Sequence, residues 1–154
     1  MTPRRSPFRF LLPALFAVSL AGAAAADKGV EVLPASAPAG TDARIKQALR
    51  ESIRAQVGQA GLAAKLRGFS ISPSLVQLRR FIDPGHQQPR TVCIVELGLH
   101  DSARGLVASV RGNASTVGAT QLDTLDAAAR AAVDRLPETL AALQDPQRSR
   151  VAAR

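Results

Sequence analysis

"RTVCIVELGLHDSARGLVASVRGN", Arg90 to Asn113, decides how this chain folds. Cys93, Val95, Leu97 and Leu99 fall on one side of an extended segment, and Val92, Ile94, Glu96, Gly98 and His100 on the other. Such alternation marks a strand, because successive side chains of a strand point to opposite faces. "DSARG" supplies the turn. Leu106, Ala108 and Val110 then form a returning apolar face opposite Val107, Ser109 and Arg111. The pattern predicts an antiparallel hairpin with a loop of about five residues. It also separates the only cysteine from one of the two histidines. Their odd spacing sends Cys93 and His100 to opposite faces, about 23 Å apart at roughly 3.3 Å per residue. On a continuous apolar face a thiol behaves as a small hydrophobe and stays protonated, whereas His100 lies on the wetter side by the turn.

Upstream, "GFSISPSLVQLRRFID" alternates Phe69 and Ile71 with Ser70 and Ser72, which is again strand period. Pro73 is expected to break the ladder at a bulge or an edge. Beyond it Val76, Leu78 and Ile82 share one side, and Gln77, Arg79 and Phe81 the other. "DPGHQQP" is a loop. Earlier still, Ile45, Leu49, Ile53 and Val57 recur every four residues, with Lys46, Arg50, Glu51 and Arg54 opposite. This is an amphipathic helix, capped by Thr41 or Asp42 and ended at Gly58 or Gly61. Downstream, the stripe Leu122, Leu125, Ala129, Ala132, Val133, Leu136, Leu140 and Leu143 predicts a second helix, kinked or restarted at Pro137. The fold class is therefore α+β: a small antiparallel sheet of three or so strands with two helices packed on one face. The far face of that sheet is left with Val92, Ile94 and Phe81, which need a cover, with Arg79 beside them.

The amino terminus has the order of a secretory signal peptide. "MTPRRSPFRF" is basic, the apolar run Phe10–Leu20 is about 11 residues, and Ala24 and Ala26 fit the small positions of a cleavage site. That run falls short of the roughly 20 residues that span a bilayer. Residues 1–26 are thus read as a signal peptide, 27–40 as a flexible spacer with "VEVL" as a short extended piece, 41–146 as a single α+β domain and 147–154 as a frayed basic tail. The expected location is periplasmic or secreted, with no transmembrane helix in the mature chain. Of the 20 Lys and Arg, cleavage removes Arg4, Arg5 and Arg9, so 17 remain against 12 acids, a net +5. That excess is mild and spread along the chain. It suits an anionic envelope polymer or a protein partner. Nucleic acid is not expected, since Phe69 and Phe81 are the only aromatics after the signal segment. One cysteine cannot form a disulfide within its own chain, so the domain stands on its apolar core.

The strand and helix segments "GFSISPSLVQLRRFID", "TVCIVELGLHDSARGLVASVRGNASTVGA" and "DAAARAAVDRLPETLAAL" resemble the small α+β module of secreted bacterial envelope accessory proteins. That group includes the curli-secretion lipoprotein, penicillin-binding-protein activator lipoproteins and the TolB amino-terminal domain. The carboxy-terminal module of some bacterial HEAT-repeat proteins is similar. There a "G-F-x-(I/V)-S-P-S-(L/V)" strand precedes a "(V/T)-x-C-x-V-x-(L/V)" strand. The likeness covers Gly68 to Leu143. It implies binding and assembly in the envelope, while the chain lacks both a lipobox cysteine and HEAT repeats.

Catalytic signatures are sparse. No G-x-S-x-G elbow occurs, and Ser70 lies on a plain strand. Asp83, His86, His100 and Asp101 could approach one another, since loop ends of neighbouring strands cluster, but no H-x-x-x-H or C-x-x-C spacing is present. No catalytic residue, metal ligand or cofactor is assigned. The chain is read as a non-catalytic binding or assembly module of the bacterial cell envelope, with Val92, Ile94, Phe81 and Arg79 as the interaction face. The partner is an envelope protein or anionic polymer, or a second copy of the chain. The alternative is a small secreted hydrolase or metal-dependent enzyme using loop histidines His86 and His100.

Overall fold

The computed structural model describes residues 30–82, 84–85 and 87–145. Residues 1–26, expected to be a signal peptide, the expected tail 147–154, Asp83 and His86 lie outside the described residues. Along the chain run β1 (Glu31–Val32), α1 (Ala43–Gln59), β2 (Phe69–Ile82), β3 (Pro89–Asp101), β4 (Gly105–Val117), α2 (Gln121–Val133) and α3 (Leu136–Gln144). The sheet order is β1-β2-β3-β4. β2, β3 and β4 form the expected antiparallel meander, and β1 lies parallel to β2. The sheet is therefore mixed rather than wholly antiparallel.

The strand β1 comes from the segment expected to be a spacer. Val32 is buried beside Ile71, the Leu33 N–H donates to the Ile71 carbonyl, and the Ser36 N–H to that of Pro73. Burial of Val32, with Val30, Ala35 and Ala37 packed against the core beside it, holds this stretch on the free edge of β2. Pro73 has no N–H to contribute on that side, so the parallel pairing is interrupted between Val32 and the bridge at Ser36.

All three helices cover one face. Leu49, Ile53 and Val57 of α1, Leu125, Ala128, Ala129 and Ala132 of α2, and Leu136 and Leu140 of α3 close over Ile71, Leu75, Cys93, Val95, Leu97, Leu99 and Val110. Asp42 caps α1 by accepting from the Arg44 N–H at 2.9 Å. Beyond the helix Gly61 takes the left-handed φ of +63° that ends it, as its position in the sequence implied. Thr120 and Asp123 form a reciprocal capping box at the start of α2. The restart expected at Pro137 is real: α2 stops at Val133, and Pro137 sits in the first turn of α3, where a missing N–H costs nothing. The two main helices are tied by Asp126, whose carboxylate accepts from the Ser52 hydroxyl at 2.7 Å.

Two local features differ from the alternation pattern. The β3–β4 loop is three residues, Ser102 to Arg104, not five. Asp101 accepts from the N–H groups of Ala103 and Arg104, and Gly105 adopts φ +73°. Those two N–H groups, Ala103's first, hold the Asp101 carboxyl below its usual range. A bulge then follows, with Leu99 opposite Ala108 but His100 opposite Leu106. Val107 is the extra residue. It turns toward the core while Leu106 moves to the far face and is 61% exposed.

Candidate functional site

The face of the sheet away from the helices carries no other element among the described residues. β2 reaches it through a second bulge. Leu75 pairs with Val95 and Gln77 with Ile94, leaving Val76 as the extra residue. This insertion exchanges the two sides of β2. It brings Leu78 onto the core beside Cys93 and sends Gln77, Arg79 and Phe81 to the open face. The sides were legible in the sequence, but the shift sits at Val76 rather than at Pro73. Pro73 pairs normally with Leu97, because its missing N–H faces β1.

Register then assembles the face in rows. Arg79 lies opposite Val92, which lies opposite Ser115. Gln77, Ile94 and Asn113 make the next row, and Phe81, Arg90 and Val117 the row beyond. Arg79, Phe81, Val92 and Ile94 thus form one contiguous patch. Val92 and Ile94 are half-buried, whereas Phe81 is 47% exposed. Arg79 makes no ion pair among the described residues. The neighbouring Glu96 is held by Arg111 at 2.8 Å, so the patch has a polar border on that side.

At the opposite end of the same face, Ser72 Oγ lies 2.7 Å from His100 Nε2. The pair sits over Gly98, where a Cβ would come within 2.6 Å of Ser72 Oγ and 3.0 Å of Leu106. A serine hydrolase needs a carboxylate to orient the imidazole and N–H donors for the oxyanion. Among the described residues no carboxylate contacts His100, and a sheet face offers no free backbone N–H. The pair satisfies two half-buried polar groups and lacks the remaining parts of a triad. It escaped the sequence reading because the bulge at Val76 offsets the β2–β3 pairing by one residue. Counted back from the loop without that bulge, Ser72 would fall opposite Leu99 rather than Gly98.

Cys93 is fully buried between Leu78 and Ala114, and burial pushes its thiol up to about 11. His100 lies on the other face, as the spacing required. His86 lies outside the described residues. The connection that holds Pro84 and Gly85 precedes the start of β3, and His100 lies near its end, about 35 Å of strand away. Successive connections of a meander alternate ends of the sheet, so those loops cannot cluster. Among the described residues no group of three or more His, Cys, Asp and Glu could hold a metal ion. No helix among them is long and apolar enough to cross a membrane.

The class that this arrangement defines is an α+β domain with its helices on one face of a four-stranded sheet and no element on the other among the described residues. No protein-family model matches the sequence, and no curated protein sequence matches it. Among solved structures it is similar to a PelC dodecamer from Paraburkholderia phytofirmans, at 14% identity and a TM-score of 0.47, over 70% of this chain and 85% of that one. It is also similar to a protein of Caulobacter crescentus assigned as a lipoprotein, at 17% identity and a TM-score of 0.43, over 71% and 89%. A minor lipoprotein from Acinetobacter baumannii is similar at 13% identity and a TM-score of 0.33, over 73% and 91%. At these scores the likeness is one of outline and carries no function across.

Proposed function

We propose that this protein is an exported, non-catalytic binding or assembly module of the bacterial cell envelope, and that an envelope protein seats on the helix-free face around Val92 and Ile94. The observation that carries this reading is the side-by-side placement of Val92, Ile94, Phe81 and Arg79 on a face that no described element covers. Apolar side chains gathered there gain by being removed from water, at about 25 cal/mol per Å² of area. The guanidinium of Arg79, which makes no ion pair among the described residues, stands at the edge of this apolar patch and fits a partner with an apolar centre and an acidic rim. The apolar centre formed by Val92, Ile94 and Phe81 favours a protein over a polyanion, whose attraction comes from charges neutralised.

Crosslinking and pull-down from the native envelope fraction tests this. The mature protein should capture a discrete partner, and the double change Val92→Lys, Ile94→Lys should abolish capture without altering the fold. Undiminished capture by that double variant would overturn the reading.

A further inference from the structure

Among the described residues the strand β4 ends the sheet, and the hydrogen-bond ladder determines which of its backbone groups are free. Ile71, Pro73 and Leu75 direct their backbone groups toward β1. The alternating residues Ser70, Ser72 and Ser74 must then face β3, where they pair with His100, Gly98 and Glu96. By the same alternation Leu99, Leu97 and Val95 face β4 and engage Ala108, Val110 and Gly112. Ser109, Arg111, Asn113, Ser115 and Val117 consequently point their N–H and C=O groups outward.

That outward row is not uniformly open. Arg135, at the break between α2 and α3, donates from Nη1 to the Arg111 carbonyl at 2.9 Å. At the other end Gly118 takes φ +72° and returns its N–H to Pro89. Between these two stops lies Asn113–Val117, a five-residue edge whose outward groups make no hydrogen bond among the described residues. It contains no charge and no proline, the usual devices that keep an edge from pairing.

We propose that this edge pairs with the same edge of a second copy, antiparallel about a two-fold axis at Ser115, joining two sheets into one of eight strands. The length available fits that operator. Centred on Ser115, Asn113 meets the partner's Val117, Ala114 the partner's Thr116, and Ser115 the partner's Ser115, so every pair is neutral and small. Centring on Arg111 instead would oppose two guanidiniums and displace Arg135. A longer foreign strand would run into the same arginine, which favours a second copy over an unrelated peptide. On the helix side, Ala131 and Ala127 continue the spacing of four that starts at Arg135, so two small side chains of α2 follow Arg135 on that side. The union also extends the helix-free face. Val92 of each copy stands one strand from its own Ser115, which sets the two Val92 side chains about 14 Å apart at roughly 4.8 Å per strand spacing. The dimer would thus present the patch twice on one surface.

Sedimentation equilibrium of the mature protein tests this. Five residues a side make a small interface, so a dimer with a micromolar or weaker dissociation constant is expected. Ser115→Lys sets like charges opposite each other and should raise that constant at least tenfold. Ser115→Pro removes an outward N–H that the fold does not use and should leave a monomer with an unchanged circular dichroism spectrum. Amide exchange at Asn113, Ser115 and Val117 should slow with protein concentration in the wild type only. A wild type that stays monomeric at high micromolar concentration would overturn the proposal, as would a dimer that survives both substitutions. Because Val92 and Ile94 are untouched, partner capture by the Ser115 variants separates failure of the dimer from failure of the binding face.

Discussion

Gly112 and Ala132 stand closer than any side chain would allow. A Cβ on Gly112 would lie 2.4 Å from the Ala132 nitrogen, 2.8 Å from its Cβ and 2.2 Å from the Ala128 carbonyl oxygen. The α2 backbone therefore rests directly on β4, which is why Ala128, Ala129 and Ala132 are all fully buried. Gly112→Ala must push the helix off the sheet. A loss of about 3 kcal/mol is expected from overpacking of this kind, read as a lower urea midpoint. Gly58→Ala is the contrast. It sits in α1 with nothing within 4 Å of its would-be Cβ, and should gain about 0.5–1 kcal/mol from helix propensity.

Thr91 is fully buried on the core side of β3, and its Oγ1 finds no hydrogen-bond partner among the described residues. A hydroxyl in that position costs its desolvation with no return. Thr91→Val keeps the shape and removes the hydroxyl. It should raise stability by about 1 kcal/mol in denaturant titration, and a net loss would mean that the hydroxyl is partnered in solution.

Cys93 makes the stability dependent on alkaline pH. Its folded pKa of about 11 lies above the ordinary 9.0, so the unfolded chain loses the thiol proton first. Between those values the folded state holds the extra proton, and stability falls as pH rises. The contribution is complete below pH 9 and disappears as pH passes about 11. Relative to Cys93→Ala, the wild type should lose of order 2 kcal/mol across that window. At neutral pH a thiol reagent should label Cys93 only at the rate of unfolding.

Ser72 and His100 should couple energetically as a hydrogen-bonded pair. A double-mutant cycle with Ser72→Ala and His100→Ala is expected to return about 1 kcal/mol. Gly98→Ala should remove most of that coupling, because its methyl would occupy the space of Ser72 Oγ. Ester hydrolysis by the wild type that disappears in Ser72→Ala would instead show that the pair does chemistry.

Much of this molecule follows from alternation alone. The even–odd split over 91–100 determined that Cys93 faces the core and His100 does not. The four-residue recurrence from Ile45 to Val57 determined α1 and its buried side, and Pro137 determined where the last helix divides. These are local properties: a strand or helix exposes its period in the residues themselves. Tertiary structure decided the rest. Both bulges, at Val76 and Val107, arise from how neighbouring strands keep register, and each reverses the side of everything beyond it. The pairing of β1 required a free β2 edge to exist first. The Ser72–His100 contact joins residues 28 apart in sequence, and the close approach at Gly112 depends on a helix that begins nine residues later. Single-residue shifts of register and long-range contacts leave no periodic trace, so only the assembled sheet could bring Ser72 and His100 together and move Leu106 to the face that Val92, Ile94, Phe81 and Arg79 already shared by alternation.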